Sequence, residues 1–251
     1  MEYETFAFVY DQIMDDSLYE QWLQFTQRHV RAEQKKVLEL ACGTGILALE
    51  LAKAGYEVSA LDLSDEMLSV ASERFNEYFG ENNTPIQLIQ GDMMELTGVG
   101  QYDVITCYSD SLCYMKTPLE VQQVFDEVYR TLQPNGTFIF DVHSPYKMTD
   151  VFPQFSFHQE TEEYAFLWDS YPDSEPLSIV HELSFYVQDE DGRFERHLED
   201  HHERTYKVEH YLTMLESAGF NQVDVLADFK DEAPSATSER LFFVCHKNEE
   251  A

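Results

Sequence analysis

Hydrophobic and polar residues alternate along this chain with two different periods. Short apolar runs bounded by turn residues, which are typical of buried strands, alternate with segments in which apolar residues recur every three to four positions, as on one face of a helix. This alternation predicts an α/β fold in which helices cover both faces of a parallel sheet. The apolar runs predict strands that begin near residue 37 and continue over 57–62, 85–90, 102–108, 137–142, 222–227 and 241–246. Helices are expected over 6–14, 18–30, 46–53 and 206–220, and further helices begin after the capping residues Ser64 and Thr117.

The pattern changes to a period of two between residues 155 and 206. Three strand-like runs cover 157–168, 177–187 and 194–206, and a turn at 189–192 joins the last two. These runs stand between the fifth predicted strand and the last predicted helix. They therefore predict a small antiparallel β insertion, which we call the flap.

Charge restricts the classes of partner that this chain can bind. The sequence has 48 Asp and Glu against 16 Lys and Arg, a formal net charge of −32, and no basic cluster that could neutralise phosphates. We therefore expect no direct contact with nucleic acid. The acidity either secures solubility or favours a cationic substrate, and the sequence leaves both open. No apolar run approaches membrane-spanning length, and the N-terminus lacks a signal peptide, so we expect a cytoplasmic protein without membrane contact.

The cysteines and histidines give no fixed metal-binding spacing. The four cysteines are scattered, and we interpret them as reduced thiols of the core. Alternate residues from Glu195 to Glu203 place Glu and His on one face of a strand. A polar face in contact with solvent is the favoured interpretation, a metal site is conceivable, and an acidic pocket lining suited to an amine is the third reading. We predict no metal site.

A glycine turn between the first strand and the first crossover helix predicts a nucleotide-like ligand. Gly43 and Gly45 allow a sharp turn and a close approach to the ligand, and the helix that follows offers unpaired N–H groups. This pattern fits NAD, FAD and S-adenosylmethionine (SAM) equally well. Glu39 inside the strand would repel a pyrophosphate but suits an ammonium and a sulfonium, which favours SAM. Asp62 follows Gly43 by 19 residues, the spacing that places an acid against ribose hydroxyls.

These motifs resemble those of the class I SAM-dependent methyltransferases. The first motif of that family reads Glu/Asp-x-Gly/Ala-x-Gly-x-Gly, and here it runs from Glu39 to Gly45 with Ala41 in place of the more usual glycine. The resemblance implies a Rossmann-like seven-stranded sheet with helices on both faces, plus the small antiparallel β insertion. The flap resembles by position that of glycine N-methyltransferase and sugar N,N-dimethyltransferases. The implied regions are 1–147 for the N-terminal lid helices and the SAM-binding core, 148–206 for the flap, and 207–251 for the last helix and the closing β-hairpin.

The resemblance also implies which residues contact the cofactor. Leu63 would pack on the adenine, Asp92 would accept from its amino group, and Met93 would shield the ring. Tyr10 would reach the methionine end from the N-terminal lid, unless that segment is simply an amphipathic helix packed on the sheet. The implied cofactor contacts are Tyr10, Glu39, Ala41, Gly43, Gly45, Asp62, Leu63, Asp92, Met93 and Tyr108.

The substrate-facing candidates lie at the ends of the fourth and fifth strands. Ligands in open α/β sheets bind outside the carboxyl ends of the strands, where Asp110, Tyr114 and His143 are placed. His143 is either a general base or a hydrogen-bonded structural residue. The Asn/Asp-Pro-Pro-Tyr motif of the amino-methyltransferases that act on adenine or glutamine is absent from this sequence.

The sequence therefore predicts a SAM-dependent methyltransferase that acts on nitrogen or oxygen of a small molecule, with an amine slightly favoured. A catalytically silent SAM-binding regulator and a transferase that uses carboxy-SAM or decarboxylated SAM are the alternatives, and an NAD oxidoreductase comes last. The oligomeric state is left open.

Overall fold

A seven-stranded sheet with helices packed against it forms the body of the protein. The computed structural model describes residues 15–81, 83–189 and 191–248. The helices are α1 (Asp16–His29), α2 (Ile46–Lys53), α3 (Asp65–Phe79), α4 (Pro118–Thr131) and α5 (Val208–Ala218). The strands of the large sheet are β1 (Lys36–Leu40), β2 (Glu57–Asp62), β3 (Gln87–Gln90), β4 (Tyr102–Cys107), β5 (Leu132–His143), β10 (Gln222–Ala227) and β11 (Arg240–His246).

The order of these strands creates a ligand crevice at one edge of the sheet. The order is β10-β11-β5-β4-β1-β2-β3, with β1 to β5 parallel and β11 antiparallel to both of its neighbours. The chain passes from β1 to β2 on one side and returns to β4 on the other, so the loops after β1 and β4 diverge. Ligands bind at such a switch point. The seven-stranded sheet and the separate antiparallel sheet confirm the predicted fold class.

Helix α1 covers one face of the sheet near this crevice. Trp22 and Phe25 are fully buried, and Phe25 packs on Phe242 of β11 with a centroid distance of 4.3 Å. Asp15 caps the helix by accepting from the backbone of Ser17, and Arg28 and His29 complement the dipole in its last turn. The predicted helix over 18–30 therefore exists. The predicted segment 6–14, with Tyr10, lies outside the described residues.

The flap is a separate four-stranded antiparallel sheet between β5 and α5. Its strands are β6 (Ser156–Glu160), β7 (Tyr164–Pro172), β8 (Ser178–Gln188) and β9 (Phe194–Arg204), in that order. The prediction of one strand over 157–168 was wrong, because Thr161 makes a turn there. Its N–H donates to the Tyr164 carbonyl at 2.8 Å, and its hydroxyl accepts from the Tyr164 N–H at 3.1 Å.

Most other sequence-based boundaries agree with the structure to within two or three residues. Strand β5 is longer than predicted, because the turn around Asn135 is absorbed as an irregularity in its register with β4. Helix α5 is shorter, since Gly219 ends it in a left-handed conformation. All four cysteines are buried with free thiols, as predicted. Within the described part of the chain, none of the helices is both long and apolar enough to cross a membrane.

Candidate active site

A narrow cleft opens at the carboxyl ends of β1 and β4. Helix α1 forms one wall with Tyr19 and Trp22, and the loops after the two strands form the floor and the opposite wall. The lining residues from these loops and from β1 are Glu39, Ala41, Cys42, Gly43, Thr44, Tyr108, Ser109 and Ser111, with Leu47 of α2 behind them. The crevice expected from the strand order is therefore a real cavity.

The backbone of the glycine turn lies in the left-handed region of φ at three positions. Ala41, Gly43 and Gly45 all have positive φ, at 52°, 54° and 75°. A Cβ on Gly45 would lie 2.7 Å from Phe75 Cζ and 2.9 Å from Ala71 Cβ, so Gly45 allows α2 to pack closely on α3. A Cβ on Gly43 would meet no atom within 4 Å, so Gly43 leaves room on the cleft side.

Glu39 lies buried in the cleft with an unsatisfied carboxylate oxygen. Its side chain is 5% exposed, and Oε2 has no hydrogen-bond partner among the described residues. Burial, with a smaller contribution from the negative charge of Asp62, raises the pKa of Glu39 to about 8. A positively charged donor from a ligand would satisfy this oxygen and favour the ionised form. An ammonium group fits this requirement, whereas a phosphate does not.

Asp62 at the end of β2 is positioned by the two loops that flank it. Its Oδ2 accepts from the Gly43 N–H at 2.7 Å, and its Oδ1 accepts from the Ser64 N–H at 2.9 Å. Burial raises the pKa of Asp62, while these backbone hydrogen bonds oppose the rise. A carboxylate held in this way retains lone pairs for two hydroxyl donors.

The other predicted cofactor contacts follow β2, β3 and β4. Leu63 is 69% exposed beside Asp62, and Asp92 accepts from the Met94 N–H at 2.8 Å in the loop after β3. Met93 is partly buried against the core. Tyr108 at the end of β4 is buried in the cleft wall, where its ring stacks on Trp22 and its hydroxyl lies 2.7 Å from Thr26 Oγ1. Except for Tyr10, each predicted contact therefore lies in this cleft or at the strand ends beside it.

A buried network of charges lies next to the cleft and joins the core to the flap. We call it the ion-pair cluster, and its members are Asp110, Asp141, His143, Glu203 and Arg240. His143 Nε2 lies 3.1 Å from Asp110 Oδ2 and 3.2 Å from Glu203 Oε2 of the flap strand β9. Arg240 Nη1 lies 2.7 Å from Asp110 Oδ1 and 2.8 Å from Asp141 Oδ2. The cluster thus joins β9 to the carboxyl ends of β4 and β5.

The loop that carries Asp110 is strained and held by the same cluster. Ser109 and Asp110 both have positive φ, at 55° and 52°, which is uncommon outside glycine. The Asp110 N–H donates to Asp141 Oδ1 at 2.9 Å, and the Ser111 hydroxyl donates to the Tyr108 carbonyl at 2.8 Å. Strained backbone of this kind concentrates at functional sites, where the surroundings hold it in place.

The cluster fits an ion-paired His143 better than a free general base. Burial opposes the charged form, but Asp110 and Glu203 raise the pKa of His143 above its ordinary value. Burial likewise opposes ionisation of Asp110, whose pKa is nevertheless held well below the usual range by His143 and Arg240. The pKa of Glu203 is lowered to about 2, because its contacts with His143 and His181 outweigh burial. The two carboxylates therefore favour the protonated form of His143.

The inner face of β9 extends from solvent into this site. Glu195 is exposed, whereas Glu203 on the same face is only 5% exposed against His143. His201 lies between them, with Nδ1 2.9 Å from the Tyr114 hydroxyl and Nε2 2.8 Å from Glu199 Oε2. The interpretation of this face as a solvent-facing surface was therefore wrong for its inner half, because the flap folds back over the loop after β4.

Several members of the site were not identified from the sequence. Arg240, at the start of β11, belongs to no motif, and His181 and Trp22 lie in ordinary amphipathic segments. The sequence contained one sign that Asp141 belongs to the site. Asp141 is a charged residue within an apolar strand, as Glu39 is. A charged residue in a buried strand must find a partner, and here Asp141 accepts from the Trp22 indole at 2.7 Å.

Comparison with known proteins agrees with this geometry. A family model described as a methyltransferase domain matches residues 37–136. A protein of Geobacillus sp. (strain WCH70) that is provisionally named a methyltransferase is 41% identical over 251 residues, covering 98% of this chain and 100% of its own length. YqeM of Bacillus subtilis (strain 168), also provisionally named a methyltransferase, is 41% identical over 249 residues, covering 99% of this chain and 98% of its own.

A solved structure agrees along the whole chain. The crystal structure of an S-adenosylmethionine-dependent methyltransferase from Clostridium acetobutylicum ATCC 824 has a TM-score of 0.83 at 28% identity, covering 98% of this chain and 99% of that one. Its match spans the flap as well as the core. The chain therefore belongs to the SAM-dependent methyltransferases, and SAM is its cofactor.

Proposed function

We propose that this protein transfers a methyl group from SAM to the nitrogen of a small amine, with an oxygen acceptor as the alternative. The observation that carries the proposal is the position of the loop from Ser109 to Tyr114. Ser109 and Ser111 line the cofactor cleft, while Asp110 and Tyr114 contact His143 and the acidic inner face of the flap. An acceptor bound between this loop and the flap would adjoin the cofactor.

The cleft residues divide the recognition of SAM among them. Glu39, with its unsatisfied oxygen, would take the ammonium of the methionine end, and Asp62 would take the ribose hydroxyls. Leu63, Asp92 and Met93 would surround the adenine. SAM supplies a methyl group already activated by a sulfonium, so the protein need not activate a leaving group.

The remaining cleft contacts would fix the position of the methionine end. Gly43 and Ala41 give the loop its close approach, Gly45 lets α2 pack behind it, and the buried Tyr108 supports the wall under Trp22. Preorganised contacts of this kind align the methyl carbon with the attacking atom, which lowers the entropic cost of the transfer.

The flap and the loop after β4 supply the acceptor side. Asp110 and Tyr114 are the candidates that face the acceptor, and His143 is assigned the role of holding Asp110 and Glu203 in place. The acidic side chains on the inner face of β9, including Glu199, favour a cationic acceptor and help to retain it. The flap also excludes water, which strengthens these interactions.

Calorimetry and a product assay test the proposal together. The purified protein is titrated with SAM, S-adenosylhomocysteine and NADH, and then incubated with SAM and panels of small amines, alcohols, phenols and carboxylic acids. We expect binding of both sulfur ligands, no binding of NADH, and formation of S-adenosylhomocysteine with amines. Mass spectrometry of the product then locates the methyl group.

Each alternative predicts a different result. Turnover confined to hydroxyl acceptors would overturn the amine assignment and retain methyl transfer. Tight SAM binding without turnover in any panel would favour a catalytically silent regulator. Absence of SAM binding in a folded sample would contradict the assignment of Glu39 and Asp62.

A further inference from the structure

A set of metal-ligating atoms converges inside the ion-pair cluster. One ligand atom each from Asp110, His143 and Glu203 lies within 4.8 Å of the other two. The three residues come from the loop after β4, the end of β5 and the flap strand β9. His143 and Glu203 are 4% and 5% exposed, and the Asp110 side chain is 14% exposed.

One proton cannot satisfy this arrangement. His143 Nε2 carries at most one hydrogen, so it can donate to Asp110 Oδ2 or to Glu203 Oε2 but not fully to both. Glu203 Oε2 is buried, and although His143 Nε2 lies 3.2 Å away, no described residue makes a well-aligned hydrogen bond with this oxygen. A buried carboxylate oxygen without a donor is costly, and a bound cation would remove this cost.

His181 provides a second and independent indication of a ligand. It is 2% exposed, and its Nε2 has no hydrogen-bond partner within the described ranges while lying 3.7 Å from Glu203 Oε1. Its other nitrogen, Nδ1, lies 2.7 Å from the Ser170 hydroxyl. Metal-binding histidines are commonly oriented in this way, with one ring nitrogen held by a hydrogen bond and the other directed at the site.

The charge of the surroundings matches a divalent cation. Asp110, Asp141 and Glu203 together exceed the positive charge of Arg240 by two, if His143 is neutral as a ligand. Lys147 also interacts with Asp110 and Glu203, but it is paired with Glu239 at 3.8 Å, and this second pair adds no net charge. Arg240 contacts Asp110 through Oδ1, which leaves Oδ2 to face His143.

The spacing of the donor atoms also fits a first-row metal. Bonds of about 2.0–2.2 Å to nitrogen and oxygen place neighbouring ligand atoms about 3 Å apart. The distances from His143 Nε2 to the two carboxylate oxygens are 3.1 and 3.2 Å. The rings of His143 and His181 both pack edge-on against Phe152, at 4.9 and 4.7 Å, which gives the site an apolar wall.

From this geometry we infer that Asp110, His143 and Glu203 bind a divalent transition-metal cation, with His181 as an additional ligand or as the residue that orients Glu203. One imidazole and two carboxylates suit Mn²⁺, Fe²⁺, Co²⁺ or Zn²⁺ better than Mg²⁺. Three protein ligands leave coordination positions open, as in catalytic rather than structural sites. Because the site lies between the cofactor cleft and the flap, an oxygen or nitrogen of an acceptor would be within reach of the metal. This inference concerns occupancy by metal and does not require the acceptor to be an amine.

Direct metal binding tests the inference without a substrate. The full-length protein is treated with a chelator, desalted, and titrated with Mn²⁺ by calorimetry and electron paramagnetic resonance, and with Co²⁺ by visible absorption. We expect one saturable site per chain. Glu203→Gln and Asp110→Asn, which preserve shape, should weaken binding about 10–100-fold. Glu195→Gln is the matched control, because Glu195 lies on the same face of the same strand but is exposed, and its affinity should be unchanged.

Two results would overturn the metal site. One is the absence of saturable binding at millimolar metal in a sample shown by circular dichroism and SAM titration to be folded. The other is binding that Glu203→Gln leaves unchanged, which would assign it to surface histidines. If metal fails to bind while methyl transfer proceeds, this inference alone is wrong. If metal binds to a protein that lacks turnover, the proposed function fails and the metal site stands.

Discussion

The guanidinium of Arg240 lies 2.8 Å from the carboxylate of Asp141, which is fully buried. The same Asp141 oxygen accepts from the indole of Trp22 at 2.7 Å. Strand β11, strand β5 and helix α1 therefore meet at one charged group. Arg240 also neutralises Asp110, so it stabilises the strained loop beside the cofactor cleft.

Replacement of this arginine should strongly destabilise the protein. Arg240→Met removes the counter-charge of the buried Asp141 and one of the two counter-charges of Asp110. Breaking a buried ion pair in this way typically costs about 3–5 kcal/mol of unfolding free energy. Urea denaturation measures the change. Arg28→Met is the control, because the Arg28 ion pair with Asp231 is exposed and should contribute less than about 1 kcal/mol. Equal effects of the two substitutions would contradict the structural role of Arg240.

Asp62→Asn should weaken SAM binding about tenfold or more. Both carboxylate oxygens of Asp62 accept backbone N–H bonds, from Gly43 and Ser64, so an amide nitrogen would face a donor at one of the two positions. The loss of a charged hydrogen bond to a hydroxyl adds about 1.5–3 kcal/mol. Calorimetric titration with SAM measures the effect. The exposed Asp65, the first residue of α3, provides the control Asp65→Asn. An Asp62 variant with unaltered affinity would disprove the ribose assignment.

Glu39→Gln should separate stability from cofactor binding. The pKa of Glu39 is raised to about 8 in the folded protein against an ordinary value of 4.5, so the fold favours the protonated form. Its contribution to stability is complete below pH 4.5 and is lost as the pH rises to about 8, at about 1.4 kcal/mol per pH unit. Because a glutamine side chain does not titrate, the variant should gain unfolding free energy over the wild type across this window.

The same variant should bind SAM more weakly, since an amide cannot neutralise an ammonium. Chemical denaturation between pH 5 and pH 8.5, without ligand, measures the stability difference, and calorimetry at pH 8.5 measures SAM affinity. Asp62, Cys42 and Tyr108 face the same cleft and are coupled to Glu39: the charge of Asp62 helps to raise the pKa of Glu39, and that of Glu39 helps to raise the pKa of Cys42 and of Tyr108. A stability difference that is constant with pH would contradict the raised pKa.

Gly43→Ala and Gly45→Ala should affect different properties. At Gly45 the left-handed backbone and the clash with Phe75 and Ala71 together should cost about 2–4 kcal/mol of stability. At Gly43 only the backbone term of about 1–2 kcal/mol applies, but the new methyl group would enter the cleft and reduce SAM affinity. Thermal unfolding and SAM titration of both variants distinguish the two effects. Comparable stability losses would contradict the packing argument for Gly45.

The parts of the cofactor cleft that lie close together in the sequence could be predicted from it. Glu39, Gly43 and Asp62 belong to one β-α-β unit, where local rules for strands, glycine turns and helix starts fix the geometry. The resemblance to a known family extended the predicted cofactor contacts to Leu63, Asp92 and Met93, which follow the ends of neighbouring strands. Their individual roles remain predictions for the experiments above.

The ion-pair cluster could not be predicted in this way. Its residues lie on separate elements, from Asp110 after β4 to Glu203 in the flap and Arg240 on β11. Period-two patterning placed Glu199, His201 and Glu203 on one face but did not indicate what that face contacts. A solvent-facing strand was preferred because no second set of ligands at a fixed spacing accompanies these residues. Packing of the flap on the loop after β4 reversed this at Glu203.

The sequence by itself determined the order of strands and helices, the cofactor-binding turn and the presence of the flap, because these depend on periodicity and on contacts between near neighbours in the chain. Only the tertiary structure decided that His143 bridges Asp110 and Glu203, and that Arg240 neutralises Asp110 and Asp141. Such pairings depend on the register of a closing antiparallel strand and on the fold of an inserted sheet. Both are set by long-range packing, which leaves no local pattern in the sequence.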